Sequence, residues 1–441
     1  MKQFAQSAMV VCMLLCAASG VFATELKVRG NLDVYGIWSA NLYDFDSDSG
    51  DGDSYSTTQR MRVYFDYIAS ENLKAVLGLE MDAVWGQDDA DWGTDLKNNV
   101  EVKHAYLDFV FPDTMVHVQA GLQYVAMPSV FGHPVFDDDA PALVVSAPIS
   151  EVFGLTVGYT RGSDNSTSFD DGLSTDGESG DDLDMAFLAL PVTLEGANVT
   201  PYFGYAWLGS NYDFTDQQGL ETTLDLTLTD DDITIWFLGA NAKLNRFDPL
   251  VLAADVIYGA LDSDGLESDG WYAALSASYK LDMLVATLFS TYATGLDDDD
   301  DEQTQLPVLA EDWKVTPNLG GLRAFSTSYD TFFTKSVGVG SDGTGLWTLG
   351  LILDKITFVE KLSHKLIVAY AQGTGEEETS YFTEEDSAWE LYFVNQYMIY
   401  ENLAAINELG YFKATSEEYE DTYGDEMDSS YFATVGLSYK F

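Results

Sequence analysis

From Leu26 to the last residue the sequence repeats a single pattern. Segments of about nine to thirteen residues alternate apolar with polar side chains, and they are joined in turn by a tight connection and a long acidic one. In "LKVRGNLDVYGIW", Leu26, Val28, Leu32, Val34 and Trp38 fall on one side, and Lys27, Arg29, Asn31, Asp33 and Tyr35 on the other. "RMRVYFDYIA" separates Met61, Val63, Phe65 and Tyr67 from Arg60, Arg62, Tyr64 and Asp66. "LKAVLGLEMD" sets Leu73, Ala75, Leu77, Leu79 and Met81 against Lys74, Gly78, Glu80 and Asp82. Side chains alternate across a β-strand, so each segment reads as a strand with one apolar and one polar face.

Two architectures use such strands: a sandwich with the apolar faces inside, and a membrane barrel with them outside. The connections separate the two. "SEN" at 70–72, "PDT" at 112–114, "SEV" at 150–152, "NRFDP" at 245–249, "LD" at 281–282 and "YEN" at 400–402 are short. "DFDSDSGDGDS" at 44–54, "QDDADWGTD" at 87–95, the run 163–184, "LDDDDDE" at 296–302, "GEEETSYFTEED" at 375–386 and "SEEYEDTYGDEMDSS" at 416–430 are long and acidic. Strict alternation of the two kinds is what a membrane barrel requires, with tight turns on the periplasmic side and long loops outside. A sandwich has no such requirement. We therefore expect an all-β, antiparallel transmembrane barrel of about 18 strands over 24–441, with sixteen as the alternative; the strands around 183–209 and the segment 303–345 are the hardest to place. A barrel of this size encloses an aqueous lumen, and closure leaves no strand edge unpaired.

The first residues read as an export leader. Lys2, the apolar run "AMVVCMLLCAA" and the small residues of "SGVFA" predict a cleaved signal peptide over 1–23. Leu15 before Cys16 does not fit a lipoprotein. Both cysteines, Cys12 and Cys16, leave with that leader, so disulfides, thiolate ligands and cysteine nucleophiles are excluded from the mature chain. Seventy-three acidic residues against twenty basic give a net charge of −53, which argues against nucleic acid as a partner. Such acidity often accompanies disorder, but aromatic residues make up 14% of this chain.

The stretches "YIASENLKAVLGLEMD", "VEVKHAYLDFVFPDT" and "VHVQAGLQYVAMP", together with "PVFDDDAP", "GTGLWTLG" at 343–350 and "YENLAAINELGYFKA", resemble the homotrimeric outer-membrane porins of sulfate-reducing Gram-negative bacteria. The resemblance implies a trimer of barrels in the cell outer membrane that admits small hydrophilic solutes by diffusion, with no enzymatic step and no cofactor. It also implies that the third long connection, 128–141 ("SVFGHPVFDDDAP" over 129–141), folds inward as a constriction loop. Asp137, Asp138 and Asp139 would then face the wall bases Arg29, Arg60 and Arg62, and the opposed charges would filter ions by sign. The alternative for the same triad is an ordinary solvated surface run.

By the alternation, Lys27, Asp33, Asp66, Lys74, Glu80 and Asp82 face the lumen. The ending "YFATVGLSYKF" reads as the closing strand, pairing with the strand near Leu26. Its aromatics Tyr439 and Phe441 look like the signal that barrel-assembly machinery recognises. Trp38, Tyr67, Trp85, Phe109, Phe111, Trp271 and Tyr279 also fall at strand ends, as interfacial girdles require.

No metal centre is expected. Counting from Asp44, an EF-hand would need Gly and Glu where Ser49 and Tyr55 stand. His104, His117, His133 and His364 have no ligand spacing, and no Ser, Asp or Glu is marked as a hydrolytic partner for them. Acidic loops beside outer lipopolysaccharide and a partly basic wall predict a pore with a weak cation preference. Two other readings fit the same pattern: a channel selective for one solute class, and a non-conducting adhesin or receptor barrel.

Overall fold

The alternating segments are strands in the computed structural model, which describes residues 25–42, 44–48, 54–86, 100–164, 182–210, 232–263, 266–297, 304–310, 312–326, 345–376 and 382–441. The expected leader and most of the acidic runs at 87–95, 163–184 and 297–301 lie outside those residues. The first strands are β1 (Glu25–Ala40), β2 (Ser54–Ser70), β3 (Leu73–Val84), β4 (Val100–Val110), β5 (His117–Ala126), β6 (Asp137–Pro148) and β7 (Gly154–Asp164). They continue through β8 (Asp182–Ala189), β9 (Val192–Leu194), β10 (Ala197–Leu208), β11 (Ile233–Phe247), β12 (Leu250–Ser263), β13 (Leu266–Lys280) and β14 (Val285–Ala293). The last are β15 (Leu346–Val359), β16 (Leu362–Gly373), β17 (Ser387–Tyr400), β18 (Leu403–Thr415) and β19 (Ser430–Lys440).

Both β8 and β9 pair with the same side of β10, and Leu190 and Pro191 separate them. Proline has no N–H to give to a ladder, so the strand breaks there without leaving the sheet. Counted as one, the two pieces make eighteen strands. Every neighbour is antiparallel, and β1 pairs with β2 on one side and β19 on the other, so the sheet closes. Connections of two to six residues alternate around the barrel with those of the other end. That other end has one exception to the long-loop pattern, the two residues between β12 and β13.

The last strand closes the barrel on β1, the strand that begins near Leu26, as the sequence suggests. The pairing runs from Asn31 opposite Lys440 to Ala40 opposite Tyr431, while Glu25–Arg29 pair with β2 alone. The ladder ends where Gly30 and Phe441 exchange backbone hydrogen bonds of 2.8 and 3.0 Å. A β-carbon at Gly30 would meet the Phe441 ring and the Arg62 carbonyl, so glycine makes room for the final aromatic. Within the 416–430 loop Ser416 caps, and Gly424 (φ 78°) terminates, a short helix, α1 (Glu417–Tyr423), that strand periodicity does not reveal. The Tyr419 hydroxyl of α1 donates to the Asp44 carbonyl, and Phe45 is fully buried against Phe412. The 44–48 stretch is therefore an interlocking plug; its Asp44 and Asp46 carboxylates accept from backbone N–H groups two residues on.

The two faces of the wall differ in kind. Leu238, Leu275, Leu288 and Val435 lie more than half exposed on the outside. Aromatic pairs flank them: Trp38–Tyr55, Trp271–Tyr292, Tyr370–Trp389 and Tyr411–Tyr431 towards the loop end, and Tyr439–Phe441 at the turn end. On the inside, aromatic rings lie flat over glycines of the neighbouring strand. Phe237 faces Gly204, Phe289 faces Gly350, Phe187 faces Gly158, and Phe432 faces Gly410. A β-carbon at any of these glycines would enter the ring. Overpacking of this kind costs about 1–3 kcal/mol. We expect Gly410→Val to lower the thermal unfolding midpoint of the detergent-solubilised barrel, followed by circular dichroism; an unchanged midpoint would show that the Phe432 ring has another place to go.

Candidate functional site

Two segments leave the wall and run through the interior. Residues 127–136, between β5 and β6, meet residues 304–326, between β14 and β15, along a short backbone ladder. Leu309 and Ala310 N–H donate to the Val135 carbonyl, Asp137 N–H to Ala310, Asp312 N–H to His133, and Lys314 N–H to Phe131. At the crossing Gly132 has φ 85°, and a β-carbon there would collide with the Asp312 carbonyl. The joined segments bury Val135, Leu306, Trp313, Val315 and Leu319 in one apolar cluster with inner-face residues of the wall, among them Tyr202, Phe237, Ile257, Tyr272 and Phe289 of β10–β14. The Trp313 indole donates to the Tyr272 hydroxyl at 3.2 Å, and Phe131 packs on Phe289 at 5.3 Å. This side of the interior is therefore a packed hydrophobic core. The segment 303–345, so hard to place from sequence, supplies much of it and no strand among its described residues.

Irregular backbone inside a barrel finds no sheet partner for its N–H groups, and an unmet buried donor is costly. Four wall carboxylates meet that need. Asp255 of β12 accepts from Val130 N–H (2.6 Å) and Ser129 Oγ (3.3 Å). Glu390 of β17 accepts from the Thr316 hydroxyl and from Asn318 N–H and Nδ2 at 3.1 and 3.0 Å. Glu408 of β18 takes Ala324 N–H (2.8 Å), the Tyr392 hydroxyl, Thr434 Oγ1 and the Arg323 guanidinium. Asp33 of β1 takes Ser326 N–H and Oγ at 3.1 and 2.6 Å. A carboxylate offers about four acceptor sites and hydrogen-bonds strongly when charged, which suits it to hold a loop by its backbone. The guanidinium of Arg323 also lies over the rings of Tyr35 and Phe432.

The wall from β1 to β6 carries ion pairs. Arg29 pairs with Asp66 at 3.1 Å and covers the Tyr64 ring. Arg60 reaches Asp82 (2.5 Å), Glu80 (3.3 Å) and the Ser326 carbonyl (2.7 Å) of the inward segment; Arg62 pairs with Glu80. Asp108 holds Lys74 at 3.2 Å and His117 at 2.6 Å. Lys27 is exposed opposite Asp66 in the β1–β2 register. A register shift between Gly78 and Leu79 leaves Lys103 as an extra residue in β4. Such a bulge turns two consecutive side chains to one face. Lys103 and His104 thus both reach Asp139.

The triad Asp137–Asp139 is placed differently from the expectation. The inward loop ends at 136, and β6 begins at Asp137, which pairs with Ala126. Asp137 accepts weakly from His133 N–H (3.4 Å), Asp138 is exposed, and Asp139 takes Lys103 and His104. The expected confrontation with Arg29, Arg60 and Arg62 across the bore is replaced by cross-strand pairing along the wall. Neighbouring strands bring side chains within about 5 Å, and no solvent-filled gap can match that distance. Lys103, Asp108, Asp255, Glu390 and Glu408 join the site without being among the residues expected from the sequence. The two glutamates were within reach: each is a single charge on the inward face of a strand, in "SAWELYFVNQY" and "LAAINELGYF". The bulge at Lys103 leaves no mark in the alternation.

His133 is fully buried at the loop crossing. Its Nδ1 accepts from Val135 and Phe136 N–H at 3.2 and 3.1 Å, so Nε2 carries the hydrogen shared with the Tyr202 hydroxyl at 3.0 Å. Burial pushes its pKa down to about 3. A released loop would regain an ordinary value near 6.5, so the released state takes up a proton that the docked state refuses. Docking is at full strength above about pH 6.5 and weakens by up to about 1.4 kcal/mol per pH unit below it. We expect faster amide exchange at Val135 and Phe136 as pH falls from 6.5 towards 4, after correction for intrinsic rates, and no such trend in His133→Gln. For the second segment, Glu390→Ala should speed exchange at Asn318 about tenfold, since it leaves a buried N–H without its acceptor, a loss of about 1–3 kcal/mol. Unchanged protection would mean that the segment is held without this carboxylate.

No protein-family model and no curated protein matches the sequence. Solved structures do. OpdL of Pseudomonas aeruginosa is 14% identical, over 95% of this chain and 99% of that one, with a TM-score of 0.52. OccK11 (OpdR) of Pseudomonas aeruginosa is 12% identical, over 94% and 96%, with a TM-score of 0.54. OccAB3 of Acinetobacter baumannii is 12% identical, over 94% and 99%, again at 0.54. At such identities the likeness is one of fold: this chain has the closed eighteen-strand antiparallel architecture of Gram-negative outer-membrane channels.

Proposed function

We propose that this protein is a passive channel of the Gram-negative outer membrane for small hydrophilic solutes and ions. The observation that carries this reading is the opposition of the two faces of one closed sheet. The outer band is apolar and bounded by aromatics, as lipid demands, whereas the inner wall holds charged and hydrogen-bonding side chains, as a water-filled path demands. The resemblance to the porins of sulfate-reducing bacteria supports the same reading, with a leader over 1–23, a homotrimer, contact with lipopolysaccharide, and Tyr439 and Phe441 as the assembly signal.

One observation favours a narrower version, a channel selective among solutes. The two inward segments pack against β10–β14 and run on past Glu390 of β17 and Glu408 of β18 to Asp33 of β1, which leaves solutes the strip of ion pairs on β2–β6. In this version the narrowest passage lies beside Arg60, Arg62, Asp138 and Asp139. Swelling of proteoliposomes tests both. Uptake of small sugars graded by size supports an open path, uptake confined to one chemical class supports the selective version, and no uptake of any solute removes the channel reading.

The cation preference follows from the pairing. Arg60, Arg62 and Lys103 are neutralised by Glu80, Asp82 and Asp139, so these bases impose little net field, and the acidic loops act over about a Debye length, ~10 Å at 0.1 M salt. In planar bilayers across a salt gradient the reversal potential should have the sign of cation selectivity and shrink as salt rises. Anion selectivity at low salt would show that the wall bases dominate.

A further inference from the structure

The outer band contains a polar row. His364, Asn395 and Asn407 stand directly opposite one another on β16, β17 and β18. By alternation they share the outer face with Leu391, Leu409 and Tyr397, all exposed. They lie between the aromatics Trp389 and Tyr411 towards the loops and Tyr397 and Tyr439 towards the turns. This is therefore the depth at which the band should be apolar.

The row is joined by hydrogen bonds that run in one direction. His364 Nδ1 lies 2.7 Å from Asn395 Oδ1, Asn395 Nδ2 donates to Asn407 Oδ1 at 2.9 Å, and Asn407 Nδ2 donates to the Thr434 carbonyl at 2.8 Å. Because an amide oxygen only accepts, Nδ1 of His364 carries the hydrogen and Nε2 keeps a lone pair. The Phe393 ring, stacked on His364 with an interplanar angle of 8°, helps fix the imidazole. Each asparagine NH2 has two hydrogens and uses one here. After its internal bonds the row thus retains one acceptor, Nε2, and two donors, the second N–H groups of Asn395 and Asn407. Hydrocarbon can satisfy none of them, and polar side chains at this depth are costly unless protein meets them.

We propose that this row is a contact surface for a second copy of the chain, set beside the rotation axis of a homo-oligomer. The inference rests on the outer-membrane reading above. The occupant is a copy because the row carries both halves of a hydrogen bond, so rows of adjacent copies that meet near the axis satisfy one another's acceptor and donors. Small neighbours on the same face, Ala405 on β18 and Ala433 on β19, let a facing wall come close.

The test uses the leader-processed protein in a non-denaturing detergent and in outer-membrane vesicles. Sedimentation should give a multiple of the chain mass for the natural protein. The double variant Asn395→Leu, Asn407→Leu should raise the subunit dissociation constant about tenfold, the size of two or three hydrogen bonds in a bilayer. Asn407→Cys, in a chain with no other cysteine after Cys16, should cross-link chain to chain under oxidation in vesicles. A natural protein that sediments as a single chain with its barrel intact would mean that lipid or water covers the row, and overturns the proposal. So would a double variant that stays assembled with unchanged affinity, or absence of the cross-link. Absence of a folded β-barrel from the natural protein in detergent or vesicles would instead sink the outer-membrane reading itself.

Discussion

Backbone hydrogen bonding in a medium without water is the constraint from which the rest of this structure follows. A sheet satisfies its N–H and C=O groups only between strands, so an open sheet in lipid would leave two unpaired edges. The pairing of β1 with β19 removes both, and it does so along ten residues of each strand. Once the sheet is closed, alternation divides every strand between an outer and an inner environment. A side chain's chemistry then has to match its position in the count of two. The terminal Phe441, fitted over Gly30, marks where that closing ladder stops.

Closure creates a second problem inside, because a bore of this width is not filled by wall side chains. Here it is partly filled by chain. Two segments cross the interior, bring apolar residues to the β10–β14 wall, and hand their backbone N–H groups to Asp33, Asp255, Glu390 and Glu408. The acidity of the sequence therefore has two uses. At described loop positions such as Asp46, Asp48, Glu420 and Glu426 it is exposed; on the wall, buried carboxylates are the acceptors that irregular backbone needs. The buried pair of Arg323 with Glu408 fits the same logic, since a lone charge at either position would be strongly destabilising. On the opposite side, Arg60 joins the ion-pair strip to Ser326 of the inward segment, so packing on one side of the interior is linked to charge on the other.

Much of the barrel was legible in the sequence because alternation and connection length are local properties. The inner placement of Asp66, Lys74, Glu80 and Asp82 follows from counting by two, and their cross-strand pairs are the contacts that counting allows. Asp137–Asp139 show where local reading ends. A run of three aspartates beside proline and glycine has the composition of a loop, yet it opens a strand because Ala126, Val125 and Tyr124 offer it a ladder. Lys103 faces inward through a one-residue bulge, and α1 forms inside an acidic loop because Ser416 and Gly424 happen to cap it.

The sequence by itself determined the closed antiparallel barrel and the side of the wall that residues of the regular strands take. These depend on a period of two and on the lengths between periods. Only the tertiary structure decided that 304–326 and 127–136 would meet inside, that four distant carboxylates would hold them, and that the arginines would pair along the wall. Those contacts join residues up to about three hundred positions apart, Asp33 with Ser326 among them, and chain closure brings them together only after the local pattern has been satisfied.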